Sequence, residues 1–178
     1  MAIPVSLADA RRQLRLDDTD TSRDTELEQF IADAAAWVEL YTGQTLVAAD
    51  VVEQFLTFER MQLRAWPVKP DAAVSVNFTD AAGAAITIVG PRVRVVGRPA
   101  QVLPAVGTRW PPVGPGVVAV TVRAGYEIGD AVPGSIRRAI LVLIAAYDAD
   151  REGGELFAAA EATARSLCDR ANLRLRTL

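Results

Sequence analysis

The chain has 178 residues, 51% hydrophobic and 23% charged, with a net charge of −3, no histidine and a single cysteine. That length suits one domain able to bury its own core, and the lone Cys168 excludes an internal disulfide and fits a reducing cytoplasm. The missing histidine excludes Ser-His-Asp and Cys-His catalysis and most zinc sites, while the mildly acidic balance does not favour nucleic-acid binding.

The opening "MAIPVSLADARRQLRLDD" lacks the apolar core of a signal peptide. Ser6 followed by Asp9 has the form of a capping box and predicts a short helix with Leu7, Ala10 and Leu14 on one face. The polar "RLDDTDTSRD" then turns the chain. Asp24 reads as the N-cap of a second helix, with Leu27, Phe30, Ile31, Ala34, Val38 and Tyr41 in one stripe and Gly43 as its stop.

The middle has strand character. "VVEQFLTFER" is rich in β-branched and aromatic residues, and "AVSVNFTD" alternates Val74, Val76 and Phe78 with polar neighbours. "DAAG" turns into "AAITIVG", and "RVRVVG" and "VVAVTVRAGY" supply two more strands. "GRPAQVLPAVGTRWPPVGPG" is too rich in Pro and Gly for a helix or a central strand.

From Pro133 the period is helical again. Ile136, Ile140, Leu143, Ile144 and Tyr147 form the main stripe, with Leu141, Val142 and Ala145 on the opposite side. No strongly polar residue stands between Arg138 and Asp148, yet "AILVLIAAY" reaches only about half of the ~20 residues a membrane span needs. The back of this helix is therefore covered either by its own domain or by a neighbouring subunit. A last helix carries Leu156, Ala160, Ala164 and Leu167 on one face, and "NLRLRTL" alternates as an extended tail would.

These elements predict an α+β fold, a bundle of about four helices with a β-rich insertion between the second and third. The boundaries are one domain over 1–178, helices over about 6–43 and 133–171, an insertion over about 50–126, and a C-terminal arm over about 170–178.

Chemistry-bearing patterns are few, and the sequence points to no catalytic residue, no cofactor and no metal site. Neither common phosphate-cradling motif occurs. Asp17, Asp18 and Asp20 suggest calcium, but an EF-hand loop counted from Asp18 places Arg23 and Gln29 where Gly and Glu are required, so a solvated turn is the reading. Arg92 and Arg94 share a strand face near Arg98, which suits gatekeeping charges or a weak basic surface beside a polyanion. A small enzyme using a carboxylate pair and a monomeric DNA-packaging or regulatory protein are the rival classes.

Three segments, taken in order, carry a family likeness. They are "LADARRQLRLDDTDTSRDTELEQFIADAAAWVELYTGQTL", "VSVNFTDAAGAAIT" and "VRAGYEIGDAVPGSIRRAILVLIAAYDADRE". With them the chain resembles the head–tail connector (adaptor or head-completion) proteins of tailed siphophages and phage-derived gene transfer agents. The resemblance implies a structural protein that forms a ring, typically of twelve subunits, under the portal, with host cytoplasm as its location before assembly. It implies a portal partner on one side, a stopper or other neck or tail protein on the other, and DNA passing through without sequence-specific binding. It also implies portal docking by the C-terminal segment, through Arg170, Leu173, Arg174, Leu175 and Arg176. Leu141, Val142 and Ala145 are the candidate subunit-interface residues.

Overall fold

The structure is a computed structural model that describes residues 4–17, 19, 21–80, 82–112, 116–127, 132–150 and 153–176, the side chains of 172–176 excepted. The chain forms two compact units, a helical one from Met1–Val47 and Glu127–Thr177 and a β one from Ala48–Tyr126. The architecture is α+β, with the strands inserted between the second and third helices as the sequence predicts.

The helical unit contains α1 (Leu7–Leu14), α2 (Asp24–Thr42), α3 (Gly134–Ala149) and α4 (Glu155–Arg176). The Ser6–Asp9 capping box opens α1, with the Ser6 hydroxyl accepting from the Asp9 amide at 3.1 Å. Gly43 closes α2 at φ 61°, a left-handed conformation that glycine adopts without steric cost. Asp24 is not the N-cap of α2 but its first residue, and Arg23 takes the cap position. The Asp24 carboxylate instead binds Arg11 at 2.5 Å, tying α1 to α2.

The core of this unit is Leu27, Ile31, Ala34 and Val38 of α2 against Ile136, Ile140, Leu143 and Ile144 of α3, all buried. α3 packs against the other three helices. In α4 the buried line is Ala164, Cys168 and Ala171, while Leu156, predicted to face inward, is 65% exposed. The bulkiest nearby group decides this register: Phe157 stacks on Tyr147 at 5.5 Å, and a shift of one residue turns a helix face by about 100°.

α4 continues to Arg176, although the alternation of Leu173 to Arg176 predicts an extended chain. Leu and Arg are strong helix formers, and extending an existing helix costs no new nucleation.

The β unit holds β1 (Ala49–Phe55), β2 (Gln62–Leu63), β3 (Val74–Thr79), β4 (Ala85–Ile88), β5 (Arg92–Arg94), β6 (Ala100–Leu103) and β7 (Val118–Ala124). They form a four-stranded antiparallel sheet, β1-β7-β3-β4, and a three-stranded one, β2-β6-β5. Alternation sets the larger sheet's buried face: Val118, Val120 and Val122 of β7 beside Val76 and Phe78 of β3. At the β3–β4 turn the Asp80 carboxylate accepts the amides of Ala82 and Ala84, both at 2.9 Å; Ala81 lies outside the described residues.

One expectation fails in this unit. β6 lies inside the Pro- and Gly-rich segment and is the central strand of the smaller sheet. Composition averaged over the whole segment hides four residues between Pro99 and Pro104, whose Ala100 and Val102 are buried.

Candidate interaction surfaces

Among the described residues no three His, Cys, Asp or Glu side chains are placed to hold a metal ion, and no helix is long and apolar enough to cross a membrane. The candidate sites taken from the sequence are surfaces.

The first is the far side of α3. Ile140, Leu143 and Ile144 are fully buried, whereas Leu141, Val142 and Ala145 are half-buried. Tyr147, on the main stripe, sits between the rings of Phe30 at 5.9 Å and Phe157 at 5.5 Å. Burial is the main cause pushing its hydroxyl pKa up, with the nearby charges of Asp33 and Glu161 adding to the shift. The helical unit thus covers one side of α3 completely and the side bearing Leu141 only in part.

The second is the end of α4. Arg170 is exposed, and residues 173–176 prolong the helix beyond it, their side chains lying outside the described residues. The approach to this end is anchored to α2. The Trp37 indole N–H donates to Glu161 at 3.1 Å, and the Tyr41 hydroxyl donates to Asp169 at 3.0 Å. The two rings stack at 5.2 Å. The bond to Asp169 favours the protonated phenol and raises the Tyr41 pKa. Between these anchors Cys168 is fully buried, and desolvation pushes its thiol up to about 11.

Sequence reading missed an apolar group at the end of α2. Leu40 is 87% exposed, next to Tyr41 at 39%. The signal was present: Leu40 lies off the buried stripe, so helical geometry alone points it outward.

The third surface is the outer face of the smaller sheet. Val93 is buried, so Arg92 and Arg94 share the opposite face as the alternation predicts. The Arg92 Nε donates to the Pro104 carbonyl at 3.1 Å, and Arg94 donates to the Gln101 side chain. Arg98 is exposed as well. Of the acidic turn, Asp17 accepts from the Thr19 amide and hydroxyl at 2.8 and 2.7 Å, a local turn bond; Asp18 and Asp20 lie outside the described residues.

Comparison with known proteins agrees with this architecture. Residues 4–78 match the model of the phage gp6-like head–tail connector protein family. No curated protein matches the chain. A chain in the virion of a native gene transfer agent (GTA) particle is similar with a TM-score of 0.70 and 23% identity, covering 96% of this chain and 91% of that one. A chain in the neck of an empty GTA particle computed with C6 symmetry is similar at 0.66 and 23% identity, covering 92% of each. A third, from the neck of a native GTA particle computed with C12 symmetry, gives 0.62 and 22% identity over 96% of this chain and 91% of that one. Residues 4–78 thus carry the pattern of the phage gp6-like head–tail connector family, and the chain as a whole shares the fold of chains found in gene transfer agent particles.

Proposed function

We propose that this chain is a structural head–tail adaptor. It assembles as a ring, typically of twelve subunits, in the neck of a phage or phage-like particle. The observation that carries the reading is a connector family match at the N-terminus joined to a neck-protein fold over at least 92% of the chain. The role asks for no chemistry, only for surfaces: one toward the portal, one toward the tail side, and two that meet between neighbours.

In this reading the ring sits under the portal and extends the DNA channel, and a stopper or other neck or tail protein takes its far side. Arg170, Leu173, Arg174, Leu175 and Arg176 dock on the portal as the free end of α4. Basic side chains there also suit the negative end of the helix dipole. Leu141, Val142 and Ala145 complete their burial against an adjacent subunit. A net charge of −3 suits a passage through which DNA slides, because a strongly basic wall would hold phosphates. Before assembly the chain resides in the host cytoplasm.

The test is the mass of the assembly formed when the purified chain meets a matched portal ring, beside a chain ending at Arg170. Stoichiometric binding that is lost on truncation supports both the adaptor and its docking end. Binding that survives truncation removes the docking assignment, and absence of binding to the portal overturns the adaptor.

A further inference from the structure

The two units differ in charge. The β unit carries eight basic residues against five acidic, and the helical unit eleven against seventeen. We propose that this division contributes to the subunit contact in addition to Leu141, Val142 and Ala145: the smaller sheet's outer face, with Arg92 and Arg94, docks on the outer face of α2, with Glu28 and Asp33, of a second copy. The proposal rests on the ring reading and assigns it a pair of surfaces.

Consider first which charges are left to bind anything. α2 contains five acidic residues and no basic one. Asp24 is engaged by Arg11, Glu26 by Arg23 at 2.8 Å, and Glu39 accepts the Leu46 amide at 2.7 Å. Glu28 and Asp33 remain without a cationic partner, the Asp33 carboxylate accepting only from the neutral Gln29 side-chain amide at 2.8 Å. Both are exposed, and among the described residues neither forms an ion pair. They flank Ala32 and Ala36, and Leu40 continues that exposed face at 87% exposure.

The smaller sheet mirrors this. Strand register puts Gln62, Gln101, Arg94, Arg92 and Leu103 on one face, opposite buried Leu63, Ala100, Val93 and Val102. That face carries no acid. The only side-chain partner of Arg94 shown there is the neutral Gln101, and Arg92 meets a carbonyl, so neither guanidinium charge is compensated among the described residues. β5 is an edge strand, and Val89 and Val96 on either side of it are 87% and 71% exposed.

A closed ring of identical chains needs two different, mutually complementary patches on each chain. A basic face flanked by exposed valines and an acidic face ending in an exposed leucine meet that requirement. The valines also separate this partner from DNA, since apolar groups gain nothing beside phosphates.

The test uses the full chain and two double variants, Glu28→Arg with Asp33→Arg, and Arg92→Glu with Arg94→Glu. Sedimentation velocity over a concentration series at low salt reads association, alone and on a matched portal ring, and circular dichroism confirms that each variant is folded. Each variant by itself should need roughly tenfold or more protein to associate than the unaltered chain does. An equal mixture of the two should recover the original association, because each reversed face then meets its complement. The milder Arg92→Gln with Arg94→Gln variant should fall between.

Three results overturn the contact: variants that associate like the unaltered chain, a mixture no better than its components, or an unaltered chain that stays monomeric throughout. Loss of duplex-DNA binding by the Arg92→Glu/Arg94→Glu variant with association intact would assign the face to a polyanion instead. Variants that stay monomeric in solution yet bind the portal support both the contact and the adaptor, whereas variants that associate like the unaltered chain and bind the portal keep the adaptor and remove this contact.

Discussion

The helical and β units use their charged residues in opposite ways. In the helical unit ionic and polar side chains join elements distant in sequence: Arg11 to Asp24, Arg23 to Asp148, Arg137 to Asp9, Trp37 to Glu161 and Tyr41 to Asp169. In the β unit the only such ion pair among the described residues is Arg123 with Asp50, at 3.4 Å between neighbouring strands. There the core is aliphatic and aromatic. Phe58 stacks on Trp110 at 5.0 Å and meets Phe78 edge-on at 5.1 Å.

The difference teaches where to look for function. A charge committed to its own unit holds the fold together, whereas a charge that meets only solvent or a neutral group is available to a partner. Sequence counts alone give both kinds equal weight.

Five variants and one labelling experiment test this division of labour. The largest effect belongs to the apolar core. Ile140→Ala removes a fully buried side chain from α3 and should cost about 2–5 kcal/mol in denaturant unfolding. A cost under about 1 kcal/mol would mean that the helical unit relies less on its core than the burial implies.

Next comes the α1 cap. Ser6→Ala deletes the hydroxyl that accepts the Asp9 amide and should cost about 0.5–2 kcal/mol. The bonds from the Ser6 hydroxyl and amide, and then the charges of Arg137 and Arg12, hold the Asp9 pKa below its ordinary value. A depressed carboxylate stabilises the fold above its unfolded pKa, and that contribution disappears as the pH falls through the folded one. The cost of Asp9→Asn should therefore be constant at neutral pH and shrink below about pH 4. A cost that grows on acidification would contradict the capping assignment.

Smaller still is the link from the start of α2 to the end of α3. Arg23 and Asp148 are each about 30% exposed, at 30% and 27%, so solvent screens the pair. Asp148→Asn should cost about 1 kcal/mol or less, and the cost should fall with added salt.

At the bottom of the scale, Arg92→Glu with Arg94→Glu should leave the melting midpoint of the monomer unchanged. A clear drop would show that these charges serve the β unit itself and would dissolve the contrast. A kinetic probe complements these: the raised pKa of buried Cys168 keeps it a thiol near neutral pH, so a thiol reagent should label it only as the α2–α4 seam opens.

Much of the fold was legible because local physics spoke with one voice. The Ser6–Asp9 box, the Gly43 stop, the α3 stripe and the alternation of β3, β5 and β7 each follow from spacing that one conformation satisfies. Where two readings competed, sequence chose wrongly. Asp24 has the chemistry of a cap, but Arg11 offered it a stronger partner from another helix. Leu156 fits a helical stripe, but Phe157 had the aromatic stack to gain. β6 was hidden by the prolines on either side of it.

The surfaces divide in the same way. Arg92 and Arg94 were placed on one strand face by alternation alone, and Arg170 was placed near the chain end by its number. Neither observation says whether a charge is already satisfied.

What the sequence determined by itself was class and order: helices, strands, helices, with no histidine chemistry and a family pattern at the N-terminus. Periodicity and capping act within a few residues, so they can be read along the chain. What only the tertiary structure decided was allocation: which acids pair across the helical unit, and which outward-facing arginines are left uncompensated. Ion pairing and burial depend on groups more than a hundred residues apart meeting in space, as Arg23 and Asp148 do. No local pattern carries that information.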